Sequence, residues 1–225
     1  MNIADNIIRY YLRDVYFITG TAYAGKSTAV KLLAERYGMR CCGENYHMAV
    51  SEQVAEPALQ PDICYTRTLT DWREFVKRPP EEYERWIYSV GREAAEFEVA
   101  ELIAHSGAGK TIVDTNIPLD ILHEISDYRH VAVLLSPQSM SVERFFERDD
   151  PEKQFIRSLI AQCENPETAM ENYRAGLARI NSRAHYEAYA NSGFFTLVRA
   201  DDGRDTREEV CAALAAHFGL AEETE

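Results

Sequence analysis

The residues best suited to chemistry are two glycines, a lysine and a serine that follow an apolar run near the amino terminus. The pattern G-x-x-x-x-G-K-[ST] is matched without a gap by Gly20, Thr21, Ala22, Tyr23, Ala24, Gly25, Lys26 and Ser27. The preceding residues VYFIT are typical of a strand and the following STAVKLLAERY of a helix, which is the setting that this pattern requires. The pattern therefore predicts a loop that wraps around phosphate groups.

Each residue type in this loop has a physical task. Gly20 and Gly25 let the backbone turn its N–H groups inward around phosphate oxygens, and the following helix adds a positive dipole end of about half a charge. Lys26 is expected to reach the β and γ phosphates of a nucleoside triphosphate, and the Ser27 hydroxyl is expected to bind Mg²⁺. With Thr28, the predicted cofactor-binding set extends over residues 20–28. The alternative is an ordinary glycine-containing turn with an exposed lysine.

A second glycine-rich stretch imitates this loop. The residues SGAGKT at 106–111 end like the first motif, but Ala104 stands where the first glycine should be. The helical pattern precedes this stretch and the strand pattern follows it, which reverses the required order. We interpret Gly107 and Gly109 as a helix stop and a turn.

Short β-rich apolar runs alternate with longer amphipathic segments, which predicts an α/β fold with a parallel sheet covered by helices. Weak alternation within the runs is typical of strands buried on both faces. The predicted strands are Val15 to Thr19, about Met39 to Cys42, Thr111 to Asp114, Val131 to Leu135 and Phe194 to Val198.

Helix signals fill the gaps between these runs. The first predicted helix leaves the loop near Gly25 and ends at Gly38, and a long one opens at Pro79 and Pro80 and runs towards Gly107. Another is expected from Asn165 and Pro166 to near Gly193, and a terminal one from a capping box of Thr206 and Glu209 to Gly219. The polar, turn-prone region from Asn45 to Arg78 is expected to project beyond the carboxyl ends of the strands, where open α/β sheets bind ligands.

Composition limits the class of protein. The chain has 225 residues, which is enough for one α/β domain, and no linker or repeat divides it, so we predict a single domain over residues 1–225. A net charge of −13 argues against binding nucleic acid polymers, because such binding relies on an excess of basic residues. Five cysteines without a C-x-x-C pair, no signal-peptide pattern and no long apolar run predict a cytoplasmic protein that does not enter a membrane.

Together with Asp114 and the arginines after Ser141, the loop from Gly20 to Ser27 makes the chain resemble the P-loop small-molecule kinases. This group contains nucleoside, nucleoside-monophosphate, shikimate and gluconate kinases. The resemblance implies a P-loop NTPase three-layer sandwich with a five-stranded parallel sheet, a helical insertion at about 45–105 and a lid at about 138–160. It also implies ATP and Mg²⁺ as cofactors. No N-K-x-D sequence, which reads guanine, occurs in the chain, so ATP is preferred to GTP.

In this family an acid at the end of the second strand often acts on the acceptor hydroxyl, and here that run ends in Glu44. A carboxylate at this place accepts the hydroxyl proton or orients the hydroxyl, since phosphoryl transfer depends mainly on positioning and charge neutralisation. Asp62 is a weaker rival for the same role. A solvated glutamate in a turn is the alternative.

Asp114 ends an apolar run and resembles the acid that steadies Mg²⁺ in this family, so Ser27 and Asp114 are the implied metal-binding residues. The family frequently has a glycine after this acid, whereas this chain has Thr115. An ordinary strand-ending Asp in a turn is the alternative.

The segment after the fourth predicted strand resembles the lid of these kinases. Arg144 and Arg148 are four residues apart and are predicted to share a helix face, while Arg157 follows Pro151 on the next helix. Lid arginines would neutralise charge on the transferring group and exclude water. Interleaved acids leave a surface helix of ion pairs as the alternative.

By the same resemblance, the turn from Arg199 to Gly203 is expected to lie near the adenine. The leading functional hypothesis is an ATP-dependent kinase for a small-molecule acceptor such as a nucleoside, nucleotide, sugar or cyclic acid. Two alternatives remain: an ATPase or nucleotide switch that acts on a protein partner, and a nucleotide-binding module without catalysis. The oligomeric state is left open.

Overall fold

A computed structural model describes residues 3–143, 145–147, 151–200 and 202–220. Five strands and twelve α-helices are formed by these residues. The strands are β1 (Val15–Gly20), β2 (Arg40–Cys42), β3 (Thr111–Asp114), β4 (Val131–Leu135) and β5 (Phe195–Val198). All five strands were predicted to within a residue at either end.

The strands form one sheet in the order β2-β3-β1-β4-β5, and every neighbouring pair is parallel. Successive side chains of β1 enter opposite cores, with Tyr16 and Ile18 on one face and Val15 and Phe17 on the other. Both faces of the strand are therefore buried, as expected for a parallel sheet. The α/β fold with a five-stranded parallel sheet is confirmed.

One face of the sheet is covered by α2 (Lys26–Arg36) and α12 (Arg207–Phe218), whose side chains share a core with Ile18. Gly38 follows α2 with a φ of 60° and Gly219 follows α12 with a φ of 64°, so both predicted glycine stops are confirmed.

The capping box predicted for α12 does not form, because the Thr206 side chain makes no capping hydrogen bond. Its backbone has a φ of −108° and a ψ of 13° rather than the extended geometry of an N-cap. Asp205 supplies the acceptor instead and takes a hydrogen bond from the Arg207 amide at 3.1 Å.

The other face of the sheet carries helices from both halves of the chain. These are α1 (Asp5–Tyr11), α6 (Pro80–Ala104), α7 (Leu119–Ile125) and α11 (Arg183–Ala190). Gly107 and Gly109 have φ values of 84° and 107° in the connection between α6 and β3, which confirms their interpretation as a helix stop and turn.

The helix predicted from Pro166 to near Gly193 is two helices, α10 (Pro166–Ile180) and α11. The break lies at Ser182, whose extended backbone and side chain cap the second helix by accepting from the His185 amide at 3.3 Å. A serine in this position competes with the continuing helix because its hydroxyl satisfies an unpaired amide.

The region predicted to be polar and turn-prone folds into three short helices that lie before α6. They are α3 (Met48–Val54), α4 (Pro61–Thr68) and α5 (Arg73–Lys77). After β4 come α8 (Gln138–Val142), a 3₁₀ turn (Phe145–Glu147) and α9 (Pro151–Ala161).

A third core joins these two regions. Phe75 and Tyr83 pack there with Leu159 and Tyr173, so α5 and the start of α6 meet α9 and α10. The segments predicted as an insertion and a lid therefore share one packed interior.

Within the described residues, no helix is both long and apolar enough to cross a membrane.

Candidate functional site

The Gly20–Ser27 loop connects the carboxyl end of β1 to α2. Gly20 has a φ of 126° and Gly25 a φ of 93°, which are conformations that glycine adopts most easily. A Cβ atom on Gly20 would collide with the carbonyl oxygen of Leu134 on β4. The loop therefore leaves the sheet at a point where the neighbouring strand leaves no room for a side chain.

The carbonyl groups at the start of the loop are bonded by the loop's own lysine. The Lys26 ammonium donates to the carbonyl oxygens of Gly20 and Thr21, each at 3.2 Å. Burial raises the pKa of the nearby Asp114, and the charge of this half-buried lysine offsets part of that rise. A cation is thus held directly over the loop.

The next carbonyl groups are bonded from outside the loop. Ser136 and Ser141 both donate to the carbonyl oxygen of Ala22, at 2.5 and 3.0 Å, and Arg199 donates to that of Tyr23 at 2.9 Å. Neither serine was singled out in the sequence, because Ser136 follows β4 and Ser141 lies on α8, more than a hundred residues along the chain.

Five consecutive amides at the end of the loop and the start of α2 are left available. Among the described residues, no hydrogen bond is donated by the amides of Ala24, Gly25, Lys26, Ser27 or Thr28. The last three begin α2, where the positive end of the helix dipole lies. The carbonyl oxygens of residues 20–23 accept hydrogen bonds from side chains, whereas these amides remain as N–H donors that suit an anion.

Ser27 and Asp114 meet beside the loop, since β1 and β3 are adjacent. The Ser27 hydroxyl donates to Asp114 Oδ2 at 2.6 Å, while Oδ1 is buried and has no hydrogen-bond partner. Asp114 is only 1% exposed, and burial raises its pKa. A hydroxyl and a buried carboxylate with an unused oxygen are hard oxygen ligands, which fit Mg²⁺.

Glu44 lies at the same edge of the sheet. Its exposed carboxylate accepts a hydrogen bond from Asn116 Nδ2 at 3.1 Å, and its charge raises the pKa of Asp114. The structure thus brings together Glu44 and Asp114, which the sequence placed at the ends of two different strands.

Asp62 is engaged differently. It belongs to α4, and its carboxylate accepts a hydrogen bond from Ser89 on α6 at 2.5 Å. The Trp86 indole donates to its backbone carbonyl at 3.0 Å. Asp62 therefore joins two helices beyond the sheet, whereas Glu44 is bonded to the loop that follows Asp114.

Glu98 is an acid of this site that the sequence interpretation missed. It is 3% exposed and accepts a hydrogen bond from the Thr115 hydroxyl at 2.7 Å. Burial raises its pKa to about 7, and the charges of Asp114 and Glu44 act in the same direction. The signal was present in the sequence, because Glu98 stands at a helical spacing from the buried Ala94 on the apolar face of α6.

A cavity of about 340 Å³ lies on the other side of the loop, between α2 and the connection from β5 to α12. Its lining includes Ala24, Thr28, Arg199, Gly203 and Arg207. The turn expected near the adenine therefore borders the loop, although Asp201 itself lies outside the described residues. A planar group attached to a phosphate on the loop has space here.

Two predicted site residues, Arg144 and Arg148, lie outside the described residues. The residues between them, Phe145–Glu147, form a 3₁₀ turn rather than the α-helix on which a shared face was predicted. Arg157 is exposed on α9.

The assignment of this site rests on its own geometry. Comparison of the chain with protein-family models, with curated proteins and with solved structures found no match.

In the part of the chain that the structure describes, no group of three or more His, Cys, Asp and Glu side chains is placed to hold a metal ion. Ser27 and Asp114 are the residues here that fit Mg²⁺ together with oxygens from a ligand.

Proposed function

We propose that the chain is an ATP-dependent phosphotransferase that moves the γ-phosphoryl group of Mg-ATP to a small-molecule acceptor. The observation that carries this proposal is the contact between Ser27 and Asp114 at 2.6 Å, beside a loop in which the amides of residues 24–28 donate no hydrogen bond among the described residues. A donor-lined loop for phosphate and a hydroxyl–carboxylate pair for Mg²⁺ are both needed to bind a nucleoside triphosphate in this manner.

In this proposal the loop holds the triphosphate before any reaction occurs. The amides of residues 24–28 donate to phosphate oxygens, and Lys26 exchanges its two carbonyl partners for the β and γ phosphates. Ser27 and Asp114 would hold Mg²⁺, which when bound neutralises charge on the phosphates. The base occupies the cavity beside Thr28 and Arg207.

The acceptor is placed on the opposite side, near the acids. Glu44 accepts the proton of the attacking hydroxyl or orients it, and Asn116 keeps the carboxylate in place through its hydrogen bond at 3.1 Å. Glu98 accepts a hydrogen bond from Thr115, the residue that follows Asp114, and so keeps the end of β3 in position. Arg144 and Arg148 remain the proposed cations for the transferring group, on sequence position alone.

The test is acceptor-dependent release of ADP from ATP and Mg²⁺ in a screen of nucleosides, nucleotides, sugars and cyclic acids. Lys26→Ala should abolish both turnover and calorimetric binding of ATP while leaving the fold intact, because its partner is the ligand. Lys31→Ala, which removes an exposed lysine from the same helix, is the matched control and should behave as wild type.

The outcomes separate the proposal from its competitors. ADP release that needs no acceptor would indicate an ATPase or switch, and ATP binding without any turnover would indicate a binding module. Unchanged ATP affinity in Lys26→Ala would overturn the assignment of the loop itself.

A further inference from the structure

A second charged feature lies away from the loop, at the start of α6. The guanidinium carbon of Arg78 lies over the rings of Tyr65, Trp86 and Phe75, at 4.1, 4.6 and 5.0 Å from the ring centroids. Such contacts stabilise a cation that has lost its water. We call these four residues the Arg78 cage.

Within the cage, one edge of the Arg78 guanidinium has no hydrogen-bond partner. Nε and Nη2 of Arg78 are buried and make no hydrogen bond. These two nitrogens donate from the same edge of the guanidinium, which is the edge that binds a carboxylate or phosphate through two parallel hydrogen bonds. Burying such donors unpaired is costly, and an anion on this edge would remove the cost.

Three acids that lie within seven residues of Arg78 in the sequence are paired with other arginines. Glu81 and Glu84 in the first turns of α6 pair with Arg179 at 3.1 and 2.8 Å. Asp71, before α5, pairs with Arg73 at 2.7 Å. These carboxylates therefore do not serve as counterions for Arg78.

The backbone that carries Arg78 is held in place. The Asn172 amide on α10 donates to the carbonyl oxygens of Val76 and Arg78, at 3.2 and 2.7 Å. Phe75 and Val76 are buried in the third core. Arg78 as a whole is half-buried, although its two unpaired nitrogens are covered. The backbone on which the guanidinium is mounted is thus fixed by its own contacts.

The long helix α6 connects the cage to the acids at the sheet edge. At Gly91 this helix passes the end of β3, where a Cβ would lie 3.5 Å from the carbonyl oxygen of Asn116. Trp86 of the cage is five residues earlier, which is about 7.5 Å along the helix axis. Asn116 also donates to Glu44, so the helix that carries Trp86 passes the place where the acceptor hydroxyl is proposed to bind.

We propose that Arg78 binds an anionic group, a phosphate or a carboxylate, on the phosphoryl acceptor. The inference rests on the proposed function and narrows it, since uncharged nucleosides and sugars would not fill this site. The guanidinium edge would donate two hydrogen bonds to the anion, and the aromatic rings would pack against the rest of the acceptor.

The test compares acceptors in matched pairs, namely nucleoside monophosphates with their nucleosides and cyclic hydroxy acids with their amides. We expect ADP release only with the anionic member of a pair. Whether phosphates or carboxylates support this release identifies the anion.

Arg78→Met should raise KM for that acceptor by about 10- to 100-fold, the effect of losing hydrogen bonds to a charged group, with an unchanged Kd for ATP. Arg73→Met is the matched control and should leave both constants unchanged.

Arg78→Lys keeps the positive charge but lacks the two parallel donors of the guanidinium, so it should raise KM for the acceptor as well. It takes the place of Arg78→Met if that variant does not fold. Turnover with uncharged acceptors, or an unchanged KM in both Arg78 variants, would overturn the inference while leaving the kinase proposal intact.

If no acceptor supports turnover, the kinase proposal fails, and inorganic phosphate then tests the cage directly. With ADP present to occupy the loop, phosphate should raise the melting temperature of wild type and Arg73→Met more than that of Arg78→Met. Equal responses of the three proteins would overturn the anion site.

Discussion

Replacing Glu98 by Gln measures how strongly the interior of the site acts on a carboxylate. The side chain is 3% exposed, and burial raises its pKa from an ordinary value of 4.5 to about 7. Its hydrogen bond from Thr115 lowers the pKa in part, whereas the charge of Asp114 raises it. Glutamine has nearly the same shape and accepts the same hydrogen bond from Thr115, but it carries no charge.

The sign of the effect follows from proton binding. Between pH 4.5 and about 7 the folded protein holds a proton on Glu98 that the unfolded chain has released. The stability from this proton is complete below pH 4.5 and is lost as the pH rises through about 7. A rise in pKa of this size corresponds to about 3 kcal/mol. Relative to wild type, Glu98→Gln should therefore gain about 3 kcal/mol of unfolding free energy between pH 4.5 and pH 8.

The assay is urea unfolding of both proteins over this pH range. Exposed Glu35→Gln on α2 is the control, and its difference from wild type should hardly change with pH. Parallel pH curves for wild type and Glu98→Gln, within about 0.5 kcal/mol, would show that Glu98 has an ordinary pKa and would refute the reasoning.

Three further substitutions test the site. Gly20→Ala places a Cβ against Leu134 at a φ of 126°, so we expect a loss of at least about 1–3 kcal/mol in thermal unfolding together with loss of ATP binding, and wild-type stability would contradict this. Asp114→Asn should raise the Mg²⁺ concentration for half-maximal turnover by roughly tenfold or more in a metal titration, and an unchanged requirement would exclude Asp114 as a ligand. Glu44→Gln should keep ATP affinity but lower acceptor-dependent turnover by roughly 10²–10⁴, and full activity would remove Glu44 from the chemistry.

Much of the fold could be predicted from the chain alone because its signals are local. A strand buried on both faces needs only a short apolar run, and a helix stop needs only a glycine that accepts a positive φ, as Gly38 and Gly219 do. The Gly20–Ser27 loop was predictable for the same reason, since its residues are consecutive. Where two local signals competed, as at Ser182, the longer pattern was preferred and the helix break was missed.

The site as an arrangement was decided by tertiary structure. The sequence by itself placed Ser27 in the loop after the first predicted strand and Asp114 at the end of the third, and the family resemblance implied that both bind Mg²⁺. It did not determine that Ser136, Ser141 and Arg199 donate to the carbonyl oxygens of Ala22 and Tyr23 in the loop. Those contacts join residues more than a hundred positions apart, so no local pattern records them.

The same reason applies to the buried charges. Whether Glu98 is a solvated acid or a carboxyl with a pKa of about 7 depends on α6 packing against the end of β3. Whether Arg78 forms a surface ion pair or lies unpaired among three rings depends on how α4, α5 and α6 meet. Residue types and spacing determined which groups the chain carries, and packing determined which of them lost water and partners, because desolvation depends on every element around a group.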